Sequence, residues 1–222
     1  MSTLPSESPV APLTTPEVEL HESRGRLTLA QFSNVFVPFA LLLCVAMLRP
    51  ELRPKMVYWR AVYSIWVTIL FMTPALFLFF WPGSSDRKNN YWLLTWTAGY
   101  LAYLVHFYFT VGVIFHGSLA EVYAKQGPII ATSNLLDTAW WAFDLVLAWF
   151  VRSEAKWIKI QRIAVHVYIP LTFFVSAVII KHGIVRGLGI AMTVAMLTSV
   201  GVRLVRRKQA ATTTEGGLAP SP

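Results

Sequence analysis

Six long apolar runs, each closed by a turn signal, constrain this chain more than any other feature. They cover residues 30–48, 61–81, 91–115, 129–151, 163–180 and 187–202. A helix needs about 20 mainly apolar residues, range ~17–25, to cross the hydrocarbon core of a bilayer. The first five runs reach that length. The sixth falls just short, but Ile184 and Val185 extend it past Arg186, whose long side chain can snorkel to the interface. The runs are continuous rather than alternating, which excludes a closed β-barrel. Arg49-Pro50, Pro82-Gly83-Ser84, Gly127-Pro128 and Gly183 punctuate them. The expected fold is therefore all-α: a polytopic integral membrane helix bundle of about six transmembrane helices.

Composition agrees. Hydrophobic residues make up 55% and charged residues 14%, against roughly 25% charged in an average soluble domain, so a soluble fold is excluded. The transmembrane domain is expected over residues 30–204. Residues 1–29 are rich in Pro, Ser, Thr and Glu and bury too little apolar surface to fold. They lack the basic segment and apolar core of a signal peptide, so the tail is expected to be retained. Residues 205–222 read as a basic stretch followed by a disordered tail.

The net charge is +8, with Lys and Arg placed mainly in the turns between runs. There they act as topology signals and as partners for lipid headgroups, which makes membrane lipids the expected partners. No basic stripe interleaved with aromatics lies outside the spans, so no nucleic-acid partner is expected. With both termini cytoplasmic, the inner side carries 12 Lys and Arg and the outer side 7. That excess places both termini inside, in a cytoplasmic-type inner membrane. Only the first loop, with Arg49, Arg53, Lys55 and Arg60, argues the other way. The single cysteine, Cys44, permits no intrachain disulfide and no CxxC motif.

Smaller features carry structural expectations. Tyr58, Trp59, Trp81, Tyr91, Trp92, Trp149 and Trp157 fall near run ends, as an interfacial aromatic belt requires. Leu119, Val122 and Tyr123, with Glu121 and Lys125, suggest a short surface helix in the third loop. Gly187, Ala191 and Ala195 form a small-residue stripe expected to pack on the fifth run. Pro38, Pro74 and Pro170 lie inside runs and each removes a backbone hydrogen bond.

Chemistry can only come from the few polar groups inside the spans. Setting Arg186 aside, the six runs hold four ionisable residues: His106, Asp137, Asp144 and His166. A charge at the bilayer centre costs at least ~2.5–3.5 kcal/mol, so such groups face inward, pair, and count as functional candidates. With neighbouring spans antiparallel and a rise of about 1.5 Å per residue, His106 and Asp137 share one depth and Asp144 and His166 another, about 10 Å away. Asp137 and Asp144, seven residues apart, lie on one helix face. Two Asp–His pairs are therefore expected: Asp137 with His106 towards the outer side, Asp144 with His166 towards the inner. Tyr103 shares the face of His106, and Asn134, Trp140 and Trp141 flank the aspartate stripe; these four are the candidate binding residues.

Three readings of the centre stand side by side. In one the pairs are interhelical glue, worth about 1 kcal/mol each, in a structural or accessory subunit of a membrane complex. In the second they do acid–base or proton-linked work on an apolar or lipid-like ligand. Histidine changes charge near neutral pH, and a carboxylate beside it favours the charged form. The basic fourth loop would then draw an anionic headgroup to the inner pair, leaving the outer pair the more structural one. In the third, two His and two Asp hold a metal or two His hold a haem, although the depth difference of roughly 12 Å between the histidines disfavours axial ligation. His116 and His182, with Glu121 near, form a weaker metal candidate at the outer rim. No HExxH, HxxxH, Gly-x-Ser-x-Gly or Walker A sequence is present. The residue pattern decides neither cofactor nor metal, nor whether the protein is an enzyme.

Overall fold

The computed structural model describes residues 27–216 apart from Arg53, Arg152 and Glu154, with side chains as far as Gln209. The N-terminal segment 1–26 and residues 217–222, both expected to be tails, lie outside the described residues. The elements run in order α1 (Leu29–Leu48), a 3₁₀ turn (Arg49–Leu52), α2 (Met56–Phe80), α3 (Asp86–Phe107), α4 (Leu119–Gln126), α5 (Pro128–Phe150), α6 (Lys156–Phe174) and α7 (Ile184–Gly216). Two π-helical segments, Tyr108–Ile114 and Val175–Ile180, continue α3 and α6. Among the described residues there are no strands, and the protein is an all-α membrane helix bundle.

Local chemistry accounts for the helix starts. Thr28 and Gln31 close a capping box at α1: each side chain accepts from the other's backbone N–H, at 3.2 and 3.1 Å. Ser85 and Ser118 cap α3 and α4. Gly127, at φ +79, turns the chain before Pro128 opens α5. The expected surface helix is α4, with Val122 buried beneath it.

Among the described residues five helices are long and apolar enough to cross a membrane: 29–52, 56–80, 86–114, 156–180 and 184–209. The remaining long helix, α5, is 23 residues, about 34 Å at 1.5 Å per residue. Asn134, Asp137 and Asp144 lower its apolarity. It nevertheless runs the depth of the bundle beside α3. Tyr103 bonds the Asn134 carbonyl, Trp96 bonds Asp144, and Trp149 bonds Thr97.

Cross-helix contacts also set direction. Gln31 of α1 meets Asn90 of α3, Arg206 of α7 lies over Trp81 at the end of α2, and Arg162 of α6 lies over Trp92. The start of α1 and the end of α7 thus share one face, hereafter the first face. Arg60 of α2 reaches the Met47 carbonyl of α1, and His106 reaches Ala61; these lie at the second face.

Three expectations change. On α7, Gly189 rather than the 187/191/195 stripe makes the close contact. A Cβ on Gly189 would meet Val178 at 2.8 Å and Ala177 at 2.9 Å, whereas one on Gly187 meets nothing within 4 Å. The packed face is Gly189, Met192 and Ser199, and Ser199 donates to the Phe77 carbonyl of α2. Trp92 is buried rather than part of a belt. Two boundaries also move: α6 starts at Lys156, and α7 stays helical to Gly216. Long basic side chains let a helix continue into the interface by snorkelling.

Candidate functional site

The four intramembrane candidates fall at two levels, as their spacing predicts. Their hydrogen-bond partners differ from the expected pairs. Asp144 and His166 are both fully buried and are joined through Trp96 rather than to each other. Trp96 donates its indole N–H to Asp144 Oδ2 at 3.0 Å, and its ring stacks on the His166 imidazole at 4.2 Å. Phe79 stacks on the opposite face of that imidazole at 3.9 Å.

Both ring nitrogens of His166 are engaged. Nδ1 lies 2.8 Å from the Arg162 carbonyl, one turn back along α6, and Nε2 lies 3.0 Å from Trp92 Nε1. A carbonyl only accepts and an indole N–H only donates. His166 therefore carries its hydrogen on Nδ1 and accepts at Nε2, the neutral imidazole. Arg162 completes the ring of contacts. Its Nε stands 3.6 Å from Asp144 Oδ1, and its guanidinium lies 5.3 Å from the centre of the Trp92 ring. At that distance the Arg162–Asp144 contact is an ion pair without a hydrogen bond. The ring Trp92–His166–Trp96–Asp144–Arg162 ties α3, α5 and α6 together at the first-face level.

The second-face level is looser. Asp137, 2% exposed, meets the Thr172 hydroxyl of α6 at 2.8 Å through Oδ2. Its Oδ1 has no hydrogen-bond partner. His106 does not reach it. His106 Nδ1 donates to the Ala61 carbonyl of α2 at 2.8 Å, and Nε2 lies 3.5 Å from Thr110 Oγ1. The cause is helix phase: His106 follows Tyr103 by three residues, a net rotation of about 60°. Tyr103 faces α5, so His106 swings towards α2. A cleft of about 20 Å³, lined by His106, Tyr103, Thr110, Val122, Gln126 and Asn134 among others, opens beside it. That volume suits one water molecule or the polar tip of a larger group.

The candidate binding residues behave differently from one another. Tyr103 donates to the Asn134 carbonyl at 3.0 Å, and the Asn134 amide donates to Gln126 of α4 at 2.9 Å. Both line the cleft. Trp141 is fully buried in the core, against Trp96, Tyr100 and Tyr103, with no partner for its N–H. Trp140 is half-buried and packs on Tyr168.

Arg162, Trp92, Trp96 and Thr172 join the four candidates at these levels without a motif that marks them in the sequence. Arg162 was the most findable, since it precedes His166 by one turn and so shares its face.

The side chains at the two levels do not suit a metal or haem. Among the described residues no three His, Cys, Asp or Glu gather as a ligand set, and His166 has no free nitrogen. His116 sits 3.5 Å from Glu121, and both are exposed; His182 is exposed elsewhere on the rim.

Fold and centre together define a multi-pass helical membrane protein with a buried Asp/His polar centre. No protein-family model, curated protein or solved structure matches the chain.

Proposed function

We propose that this protein does acid–base or proton-linked work on an apolar or lipid-like ligand, and that the work is done at the second-face level. One observation carries the reading. His106 lines the wall of the second-face cleft, and its hydrogen is committed to Ala61. Its Nε2, 3.5 Å from the hydroxyl of Thr110, another residue of the cleft wall, thereby keeps the lone pair that can accept a proton. A ligand would present its polar end there, with its apolar part in the lipid. This reverses the roles expected for the two levels: the first-face ring, with both imidazole nitrogens occupied, acts as a structural lock. The same lock favours the second reading, a structural or accessory subunit joined to a membrane-protein partner. Both termini are assigned to the cytoplasmic side of an inner-type membrane, because Arg87, Lys88, Lys156, Lys159, Arg162, Arg203, Arg206, Arg207 and Lys208 gather at the first face.

The deciding variant is His106→Asn. Its amide N–H can still reach the Ala61 carbonyl while the basic nitrogen is gone. A thermally stable protein that fails to complement a deletion strain supports the reading. Full complementation overturns it in favour of the structural one.

A further inference from the structure

The two aspartates of α5 lie on one face, two turns apart, yet the hydrogens available to them differ. Asp144 faces two donors: the Trp96 N–H at Oδ2 and the Arg162 guanidinium at Oδ1. An indole N–H cannot accept and a guanidinium keeps its protons, so the surroundings of Asp144 match an ionised carboxylate.

Asp137 has no such surroundings. Thr172 Oγ1 lies 2.8 Å from Asp137 Oδ2 and 2.7 Å from the Ile169 carbonyl. A hydroxyl has one hydrogen. If Asp137 were ionised, the carboxylate and the carbonyl would compete for it, and Oδ1 would have no donor at all. Among the described residues no Lys, Arg or His forms an ion pair with Asp137. Tyr103 of α3 directs its own hydroxyl hydrogen to Asn134. An ionised carboxylate, 2% exposed and holding half of one hydrogen bond, is the arrangement burial penalises most. One added proton removes the conflict. Oδ2–H donates to Thr172 Oγ1, the threonine donates to Ile169, and Oδ1 becomes a neutral carbonyl oxygen whose missing partner costs far less than a missing partner for a charge.

We infer that Asp137 is a proton-binding site: a neutral carboxylic acid stored in the bundle, while Asp144 on the same helix face is ionised against Arg162. Two carboxylates driven to opposite charge states mark which is the acid. Asp137 then supplies a proton donor at the level where His106 supplies an acceptor, with Tyr103 between them, packed near the His106 ring and bonded to α5 one turn from Asp137. The assignment deepens the acid–base reading and rests on it only for the use made of the proton.

Infrared spectroscopy of the full-length protein in lipid vesicles tests it without any activity assay. The chain has three aspartates, and the third, Asp86, is exposed. Carbon-13 labelling of aspartate in the wild-type protein should shift a protonated-carboxyl C=O band lying above the amide I region. That band should be absent in Asp137→Asn and kept in Asp144→Asn. No label-sensitive protonated band in the wild type, or a band that survives Asp137→Asn, overturns the assignment. Because the labelled wild type gives the primary answer, a variant that misfolds does not obscure it. A protonated Asp137 in a protein whose His106→Asn variant complements fully would remove the acid–base reading and leave the charge assignment standing.

Discussion

Trp92 of α3 donates its indole N–H to Nε2 of His166 of α6 across 3.0 Å, and this bond settles what His166 can do. With Nδ1–H held by the Arg162 carbonyl, the ring has no lone pair left to offer a substrate or a metal. A reagent that acylates imidazole nitrogen should sort the histidines accordingly. Mass spectrometry after diethyl pyrocarbonate treatment should find His116 and His182 modified first, His106 slowly, and His166 not at all in folded protein. Early modification of His166 would show that the ring of contacts does not persist in the membrane.

Arg162 balances a fully buried carboxylate, while its own side chain is 21% exposed. Removing it in Arg162→Met strands Asp144, a loss of about 3–5 kcal/mol by the usual cost of breaking a buried pair. Asp144→Asn should cost less, because the freed arginine can turn to water. Asp144→Asn combined with Arg162→Met should recover part of the loss. Thermal unfolding in detergent across this double-mutant cycle reads the coupling directly, and strict additivity of the two losses would deny the ion pair.

The tryptophans separate by whether the N–H has a partner. Trp96→Phe keeps most of the ring and removes the donor to Asp144, so it should destabilise by about 1–3 kcal/mol. The Trp141 N–H is buried without a partner. For Trp141→Phe that hydrogen-bond term is absent, so its loss should be smaller and come from packing alone. Equal losses would mean that the Trp96–Asp144 bond adds nothing.

Gly189 and Gly187 test which face of α7 is packed. Gly189→Ala forces a methyl to within 3 Å of Val178 and Ala177 and should cost about 1–3 kcal/mol through overpacking. Gly187→Ala enters open space and should be neutral or stabilising by up to about 1 kcal/mol. The reverse order would restore the 187/191/195 stripe as the contact.

Single cysteines placed at Gly83 and Gly117, in a chain with Cys44 replaced, should react with an impermeant thiol reagent from opposite sides of the membrane. Labelling from one side would require α3 not to cross.

The spans, the surface helix α4 and the two polar levels were legible because each depends on apolar run length or rise per residue. The partner sets were not. His106 and His166 each give a hydrogen to a backbone carbonyl, that of Ala61 or Arg162, and no residue type advertises a carbonyl. Trp92 and Trp96 donate from positions where tryptophan ordinarily reads as an anchor or as core. Arg162 lay one residue outside an apolar run whose helix begins six residues earlier, at Lys156. Depth along the bundle also says nothing of the roughly 60° of phase between Tyr103 and His106 that sends one to α5 and the other to α2.

The π-helical segments Tyr108–Ile114 and Val175–Ile180 both lie on the second-face side of their helices. A π turn holds an extra residue and departs from the regular α hydrogen-bond ladder. The two halves of the bundle are therefore wound differently along its axis. One half is cross-braced by indole, imidazole and guanidinium contacts. In the other, the Tyr103–Asn134, Thr172–Asp137 and His106–Ala61 bonds still cross between helices, but α3 and α6 each leave the α ladder in a π-helical segment. The half of the bundle in which two helices leave the regular ladder is thus also the half that carries the proposed proton-binding site.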